Sequence, residues 1–296
     1  MGRPEWGVGW VERPRAFSDR SSFGLSRSET TEVAIGTIGI VGGAGVIGRA
    51  LVQAILAQEI VRPGDLIISA RASAPPDRPA GVRYTSDNAW LASESEVVIL
   101  SVRPEQFPSV WMDARDCLLI SVMAGVPASV LTEKTKAVRV IRAMPNAAAG
   151  IGRSYTPFYA NPAVGSDEKK WVARIFNAVG KSAEVQSEAE LDYMTGLTGS
   201  GPAFVALLAE AMLAHAIAHG LESEFALEAV RAAIAGAAEL VGGGALTPHE
   251  IVENLMDYRG STAAALEAMK IKGFDSVVAL GLEAAENRVS TMCSAS

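Results

Sequence analysis

The sequence is poor in the residues that build metal centres and disulfide frameworks, because its 296 residues include only two Cys and three His. Two Cys are too few to staple a small secreted fold, and they fit a reducing compartment. His215 and His219 lie four residues apart, as metal ligands can on a helix, but no Cys or other His is close in sequence. We therefore interpret both as ordinary helix side chains and predict no metal site.

An excess of basic charge is also missing, since 26 Lys and Arg stand against 33 Asp and Glu and the net charge is −7. An acidic chain of this kind argues against nucleic acids and anionic membranes as partners. The longest apolar stretch, around 203–221, is interrupted by Glu210 and His215. We therefore predict no transmembrane helix.

The first 34 residues lack the marks of a targeting segment. Their Arg residues are mixed with acidic side chains, whereas a transit peptide is poor in acids, and they contain no apolar core of a signal peptide. We interpret 1–34 as a disordered N-terminal extension, of the kind that a wrongly assigned start codon also produces. A cytoplasmic protein is predicted.

What the sequence does have is an alternation of short β-rich runs with helical stretches. The runs are apolar, often β-branched, and bounded by Gly, Pro or polar residues, which is typical of buried parallel strands. The predicted strands are 37–42, 66–70, 97–101, 118–121 and 138–142, with weaker candidates near 155–160 and 181–184 around a helix at 167–179. This alternation predicts an N-terminal α/β domain with a doubly wound sheet.

The β pattern ends near residue 188, and Ala-rich helical patterns follow. The predicted helices are 189–197, 202–219, 223–241, 247–256, 261–272 and 274–290. We therefore predict a doubly wound domain over 35–188 and an all-helical C-terminal domain over 189–296.

A glycine-rich segment follows the first predicted strand and opens a helix that runs to about residue 58. Its glycines permit a tight turn and the close approach of a pyrophosphate to the helix N-terminus, where free N–H groups and the helix dipole favour anions. The strand–turn–helix context favours this interpretation over a merely structural turn. The predicted cofactor contacts in this GxGxxG match are Gly43, Ala44, Gly45, Val46, Ile47 and Gly48.

The end of the second predicted strand carries an Arg between hydroxyls instead of the acid that binds the ribose 2′-hydroxyl of NAD. Arg71, with Ser69 and Ser73, suits a 2′-phosphate, because a planar guanidinium can hold phosphate oxygens bidentately. We therefore predict NADPH as the cofactor, with NADH possible but weaker. The alternative is a solvated Arg at a strand end.

The most informative segment of the second half is Leu197-Thr198-Gly199-Ser200-Gly201-Pro202. Its glycines and proline are expected to stop one helix and open another. The next helix, 203–218, is apolar on all sides apart from one Glu and one His, so we expect it to be buried in a subunit interface. A small polar turn beside a buried helix suits a small ligand, and the apolar helices predict a homodimer or higher homo-oligomer.

Over 37–292 the chain resembles the pyrroline-5-carboxylate reductase family, which carries a near-identical turn at 197–202. The resemblance implies an NADP-binding Rossmann-type domain over 35–188 and a dimerisation and substrate domain over 189–296. It adds cofactor contacts at turns that look like the family's Val-Lys-Pro, Ala-Gly and Met-Pro-Asn, although Arg103 is equally explained as a surface charge. Those contacts are Asn88, Ser101, Val102, Arg103, Pro104, Met123, Ala124, Gly125 and Asn146. Gly42 adds one residue before the fingerprint.

The resemblance also implies substrate contacts at Ser200 and Gly201 and at a loop that opens a late helix, where the family has Ser-Pro-Gly-Gly-Thr-Thr. This sequence has Asp257-Tyr258-Arg259-Gly260-Ser261-Thr262. Gly260 and Thr262 match, Ser261 is another hydroxyl, and the first three residues differ. N–H groups at that helix start, with Arg259, can hold a carboxylate, and Thr262 is the predicted catalytic residue, bonded to the substrate nitrogen. The alternatives are an ordinary helix cap at Ser261 or Thr262 and an ion pair of Arg259 with Asp257.

The predicted reaction is hydride transfer from NADPH to a cyclic imine, with 1-pyrroline-5-carboxylate reduced to proline. Such a site needs alignment, desolvation and a hydroxyl or water near the nitrogen, but no Lys, His or Cys nucleophile. The absence of Lys from 182–269 fits this and disfavours β-hydroxyacid dehydrogenases, which use a Lys base. Two alternatives stay open: reduction of another cyclic imino acid, and an NADP-binding regulatory paralogue without catalysis.

Overall fold

The structure is a computed structural model that describes residues 34–70 and 78–292. Residues 1–33 of the predicted extension lie outside the described residues, as do Arg71 and Ser73 of the predicted phosphate contact. The chain from Ile35 onward forms one compact unit, and the domain boundary expected near residue 188 stays a prediction.

The first half of the chain contains an eight-stranded sheet, whose strands are β1 Ile38–Val41, β2 Leu66–Ser69, β3 Arg83–Thr85, β4 Val97–Leu100, β5 Leu118–Ser121, β6 Arg139–Ala143, β7 Ser154–Ala160 and β8 Gly180–Glu184. Their order across the sheet is β3-β2-β1-β4-β5-β6-β7-β8. Every neighbouring pair is parallel except β6 with β7. The seven predicted strands are present, and the short edge strand β3 was not predicted. The strand order changes direction between β1 and β4, where doubly wound folds bind their ligands beyond the carboxyl ends of the strands.

The central strands are buried on both faces, which is why they are apolar without alternation. Every residue of β1, β2, β4 and β5 is buried. Ile38 and Ile40 belong to one apolar cluster and Val41 to another, because successive side chains of a strand point to opposite faces. Helices therefore cover the sheet on each side, and the predicted fold class is confirmed.

The helices around the sheet are α1 Val46–Ala57, α2 Asn88–Ser93, α3 Ala128–Thr135 and α4 Ser166–Asn177. Those of the second half are α5 Glu188–Met194, α6 Gly201–Ala218, α7 Ser223–Gly242, α8 Pro248–Asp257, α9 Ser261–Ile271 and α10 Phe274–Met292. The sequence predicted these helices of the second half to within a few residues at each end.

Helix α5 ends at Met194 and α6 begins at Gly201, with Ser200 as its N-cap and Pro202 in its first turn, as the glycines and the proline had suggested. Thr195–Gly199 forms one wide turn of π-helix, and the helical stretch Glu188–Ala218 continues through it. The Ser200 N–H donates to the Thr195 carbonyl at 3.2 Å, which is the five-residue spacing of a π turn. The predicted end of one helix and start of the next are therefore present, and the wide turn, which we call the π turn, joins them in place of an open loop.

The same stretch, Glu188–Ala218, is long and apolar enough to cross a membrane by length and composition alone, contrary to the prediction that no such helix exists. The sequence reading missed it because it ended the first helix at residue 197. No residue of α6 is buried within a single chain. Leu207 is 65% exposed and Phe225 on α7 is 60% exposed, so this surface is expected to be covered by another molecule.

Candidate active site

The turn after β1 begins one residue earlier than the fingerprint predicted. Gly42 has φ +82°, and its N–H donates to the Ser69 carbonyl at 2.9 Å. A Cβ atom on Gly42 would lie 2.5 Å from the Ser101 carbonyl oxygen, so only Gly fits there. Gly42, which the sequence analysis treated as an added residue, is therefore the glycine that forms the tight turn. A Cβ on Gly43 would instead lie 2.7 Å from the Ile68 side chain, so Gly43 permits close packing on β2.

The remaining two glycines of the fingerprint differ in what requires them. A Cβ on Gly48 would lie 2.7 Å from the Gly42 carbonyl oxygen, so the close packing of α1 on the turn excludes a larger residue. Gly45 has ordinary extended angles, φ −72° and ψ 172°, and its Cβ would approach no protein atom closer than 3.4 Å. The protein itself therefore does not require Gly at position 45, whereas a ligand lying against this backbone would.

The N-terminus of α1 faces the same region with unpaired donors. Arg49 makes the first helical bond, its N–H donating to the Gly45 carbonyl at 2.8 Å. By the geometry of an α-helix, the N–H groups of Val46, Ile47 and Gly48 have no partner within the helix. Together with the helix dipole, these donors favour an anion such as a pyrophosphate.

A cleft of about 400 Å³ lies at the carboxyl ends of β1, β2 and β4. Seven predicted cofactor residues line it: Ala44, Gly45, Ser69, Asn88, Ser101, Val102 and Arg103. The lining that the sequence analysis missed consists of Val41, Gly42, Ala70, Gln106, Ser109 and Val110. Three of these belong to or follow a 3₁₀ segment, Pro104–Ser109, which starts at the predicted Pro104 and for which the sequence offered no periodic signal.

Two of the predicted side chains are in direct contact at one end of the cleft. The Ser69 hydroxyl donates to the Asn88 side-chain carbonyl. Asn88 is held there because it is the first residue of α2, which Asp87 caps by accepting from Ala89 N–H at 2.9 Å and Trp90 N–H at 3.0 Å. The end of β2 and the start of α2 are thereby joined at the part of the cleft lined by Ala70, the residue that precedes Arg71 in the sequence.

The other predicted cofactor residues that the structure describes do not line this cleft, and Arg71 and Ser73 lie outside the described residues. Val46 is 78% exposed beside it, whereas Met123 is 1% exposed and belongs to the core. The turn from Met123 through Ala124 to Gly125 packs against the end of α10, because Gly125 has φ +70° and its Cβ would lie 2.8 Å from the Val289 carbonyl oxygen. Their roles toward the cofactor stay predictions.

Asn146 connects the sheet with the π turn. Its Nδ2 donates to the Thr198 carbonyl at 2.8 Å, and its Oδ1 accepts from the Ala148 N–H at 2.9 Å. Both ends of its amide are therefore engaged by the protein. Ser200 and Gly201 follow at the end of the π turn and are partly exposed, and nothing lies within 4 Å of a Cβ placed on Gly201. That space is open to a ligand.

The late loop lies at the start of α9, as predicted, but no side-chain hydrogen bond caps the helix. Its N-cap is Gly260, and Ser261 and Thr262 are exposed. The alternative interpretation of these hydroxyls as helix caps is therefore wrong. None of residues 257–262 is among those that line the cleft within residues 34–70 and 78–292.

Arg259 has φ +50°, in the left-handed region that favours glycine. The family loop has Gly at this position, so the backbone shape survives the change of residue. Arg259 makes no ion pair with Asp257 in the part of the chain that the structure describes.

A mostly parallel sheet with a glycine turn, a free helix N-terminus and a cleft at the point where the strand order reverses is typical of the dinucleotide-binding oxidoreductases. Comparison with known proteins agrees. Residues 37–125 match the sequence model described as NADP oxidoreductase coenzyme F420-dependent, and residues 188–292 match that of pyrroline-5-carboxylate reductase dimerisation.

Relatives of this chain extend over nearly all of it. The pyrroline-5-carboxylate reductase of Synechocystis is 32% identical over 258 residues, 85% of this chain and 96% of the relative. That of Vibrio alginolyticus is 33% identical over 262 residues, 84% and 95% of the two chains. The chain belongs to the pyrroline-5-carboxylate reductase family, as the sequence resemblance indicated.

Solved structures give the same result. The pyrroline-5-carboxylate reductase of Coxiella burnetii aligns with a TM-score of 0.79 at 28% identity, covering 87% of this chain and 98% of that one. The Plasmodium falciparum pyrroline carboxylate reductase, solved with NADP bound, aligns with a TM-score of 0.75 at 25% identity and the same coverage. The prediction of an NADP cofactor is confirmed, and the dimerisation match confirms that the chain forms homo-oligomers.

Proposed function

We propose that this protein reduces 1-pyrroline-5-carboxylate to proline with NADPH. The observation that carries the proposal is the cleft at the carboxyl ends of β1 and β4, bordered by Gly45, whose lack of a side chain serves no purpose within the protein. Membership of the pyrroline-5-carboxylate reductase family supports the substrate.

The residues of the cleft fit a dinucleotide. We assign the pyrophosphate to the backbone around Gly45 and the free N–H groups of Val46, Ile47 and Gly48. The contact between Ser69 and Asn88 supports placing the adenosine ribose at that end of the cleft. Arg71 and Ser73 follow directly in sequence and are assigned to the 2′-phosphate. Ser101, Val102 and Arg103 line the same cleft and are assigned to the nicotinamide half of the cofactor.

Reduction of an imine needs a hydride at carbon and a proton at nitrogen. NADPH, when bound, supplies the hydride to the carbon of the C=N bond. We assign to Thr262 the hydrogen bond with the substrate nitrogen, because the Thr262 hydroxyl does not cap α9. Arg259 and the N–H groups of Gly260 and Ser261 are assigned to the carboxylate, and Ser200 and Gly201 to the wall of the substrate site.

The simplest way to bring the cofactor cleft and the late loop at 257–262 together is a homo-oligomer. Within the described part of one chain, residues 257–262 do not line the cleft. The exposed apolar faces of α6 and α7 fit a homodimer. We infer an interlocked dimer in which the late loop of one subunit completes the substrate site of the other. Burial of Glu188–Ala218 in that dimer also accounts for its apolar character without a membrane, and we place the protein in the cytoplasm, with neither nucleic acid nor membrane as a partner.

A second candidate function is reduction of a different cyclic imino acid. The observation that favours it is Arg259 in the left-handed backbone position where the family has Gly, next to Tyr258, which is 79% exposed. A guanidinium and a phenol at the mouth of the site would change the size and charge of the imine that fits. NADPH binding would be the same in both cases.

The experiment that tests both candidates is a panel assay of NADPH oxidation with five- and six-membered cyclic imino acids and with imines that lack a carboxylate. Highest kcat/KM for 1-pyrroline-5-carboxylate supports the main proposal, and highest kcat/KM for another imine supports the second. If NADPH binds but no imine is reduced, both proposals are wrong and the chain is a nucleotide-binding paralogue without catalysis.

A further inference from the structure

A buried cation connects the sheet with the helix that carries the π turn. Arg142 on β6 has a side chain only 3% exposed. Its Nη2 donates to Asp192 Oδ1 at 2.8 Å, and its Nη1 lies 3.5 Å from Glu188 Oε2. Both carboxylates belong to α5. Within the described residues the buried Arg142 Nε has no hydrogen-bond partner, and Asp192 and Glu188 are the carboxylates that pair with the guanidinium.

Glu188 extends the connection to a third element. Its Oε1 accepts from the Ala128 N–H at 2.8 Å. Ala128 is the first residue of α3 and follows the turn that contains Gly125. One guanidinium and two carboxylates therefore join the carboxyl end of β6, the start of α3 and the whole length of α5.

Two further contacts fix the same helix. Met144, Val185 and Leu191 form a small apolar cluster between the end of β6 and α5. Six residues beyond Asp192, the Thr198 carbonyl within the π turn accepts a hydrogen bond from Asn146. Arg142 within β6 thus holds α5 by a charge contact, and Asn146 after β6 holds the π turn by a hydrogen bond.

A buried ion pair contributes little to net stability, because desolvation offsets most of the attraction, but it strongly disfavours arrangements that leave a charge unpaired. If α5 rotated or slid by one turn, Asp192 would leave Arg142 and a buried cation would lack compensation. Apolar contacts such as Leu191 with Met144 tolerate small shifts far better. The charged cluster therefore fixes the register of α5, and with it the position of the π turn.

We propose that Arg142 is a positioning residue, which acts through Asp192 and Glu188 to set the place of the π turn, and so of Ser200 and Gly201, relative to the cofactor cleft. The inference rests on the proposed function, since the π turn is assigned to the wall of the substrate site. Arg142 touches neither substrate nor cofactor in this assignment. Its effect is on the alignment of the imine with the hydride donor.

The test compares two isosteric variants that each weaken an ion pair of an Arg on β6. Asp192→Asn weakens the pair with Arg142, and Glu168→Gln weakens the pair that Arg139 makes with Glu168 at 2.7 Å, away from the π turn. Since misplacement of about 1 Å can cost a factor of about 100, we expect Asp192→Asn to lower kcat/KM for the imine about tenfold to a hundredfold. The isotope effect on kcat with NADPH deuterated at the transferred position should increase, and the Kd for NADPH should change little.

Glu168→Gln should leave kcat/KM and the isotope effect unchanged, whatever it does to the melting temperature. Equal kinetic effects of the two variants, or none with Asp192→Asn, would overturn the proposal. If Asp192→Asn does not fold, Arg142→Lys keeps the charge and should show a smaller loss of kcat/KM with a smaller increase in the isotope effect; an unchanged isotope effect in Arg142→Lys would overturn the proposal equally.

A second measurement separates this proposal from the proposed function. Amide hydrogen exchange at 195–200 should be faster in Asp192→Asn than in the wild type and unchanged in Glu168→Gln. If the wild type reduces no imine, the proposed function fails, and the assignment of Arg142 to alignment of an imine fails with it. If the wild type is active but exchange at 195–200 does not respond to Asp192→Asn, the positioning role alone is wrong.

Discussion

Replacement of Gly45 by Ala should separate cofactor binding from folding. Extended angles of φ −72° and ψ 172° suit Ala, and the new Cβ would lie 3.4 Å from the Gly42 carbonyl oxygen, an ordinary contact. Reduced freedom of the unfolded chain stabilises such a variant by about 0.4–1 kcal/mol. Loss of a Gly N-cap in favour of Ala costs roughly as much, about 0.5–1 kcal/mol. The two effects nearly cancel, so the melting temperature should stay within about 2 °C of the wild type.

The added methyl group would instead occupy the space assigned to the pyrophosphate. Overpacking by one methyl costs about 1–3 kcal/mol, which corresponds to NADPH binding about five- to 150-fold weaker. Fluorescence titration with NADPH and thermal unfolding on the same preparation measure both quantities.

Gly48→Ala is the matched control, because its Cβ would lie 2.7 Å from the Gly42 carbonyl oxygen. That variant should lose about 1–3 kcal/mol of stability. Our reasoning would be refuted if Gly45→Ala bound NADPH like the wild type, or if it lowered the melting temperature as much as Gly48→Ala does.

Four further outcomes are expected. Arg71→Ala should weaken NADPH binding about tenfold or more and NADH binding little, because a charge-assisted contact to the 2′-phosphate is lost; equal weakening of both would reject this contact. Thr262→Ala should lower kcat/KM about tenfold to a hundredfold at an unchanged melting temperature, since α9 has no side-chain cap; a change in melting temperature alone would contradict the catalytic assignment. The wild type should sediment as a dimer or larger at micromolar concentration and Leu207→Glu should shift it toward monomer, because Leu207 is 65% exposed on α6; a wild-type monomer is incompatible with the proposed assembly. Burial raises the pKa of the Cys117 thiol from 9.0 to about 11, so the folded state holds this proton more tightly and stability should fall as the pH rises from 9 to 11; urea unfolding should show less of this decrease in Cys117→Ala.

The sheet could be predicted because buried parallel strands are short apolar runs bounded by Gly, Pro or polar residues. The edge strand β3, Arg83–Thr85, was not predicted because its three half-buried residues are too few to show a periodic signal. At the glycine turn, the spacing of the motif selected Gly43, whereas the backbone angle of +82° selects Gly42. A pattern of residue types cannot report a dihedral angle, so the register of the turn was off by one.

The second half shows where local signals fail. Three glycines and a proline between 196 and 202 indicated a helix end and a helix start, but they did not indicate the π turn between them, which packs on α10: a Cβ on Gly196 would lie 3.3 Å from Ala285. Arg142 escaped for a similar reason, because its partners lie 46 and 50 positions away in sequence, at Glu188 and Asp192. Contacts of this kind depend on how elements meet, and a single sequence does not contain that information.

Because the apolar surface of α6 is exposed within one chain, the stability of the folded chain depends on the protein concentration. Within one chain no residue of α6 is buried, and α7 buries only Ala226 and Val230. Most of the apolar area of these helices can leave water only when a second copy arrives, so the free energy of folding contains the free energy of association. Dilution therefore lowers the stability of the folded state, and the melting temperature rises with the logarithm of protomer concentration. A newly synthesised chain therefore exposes the apolar surface of α6 and α7 to water until it associates with a second copy.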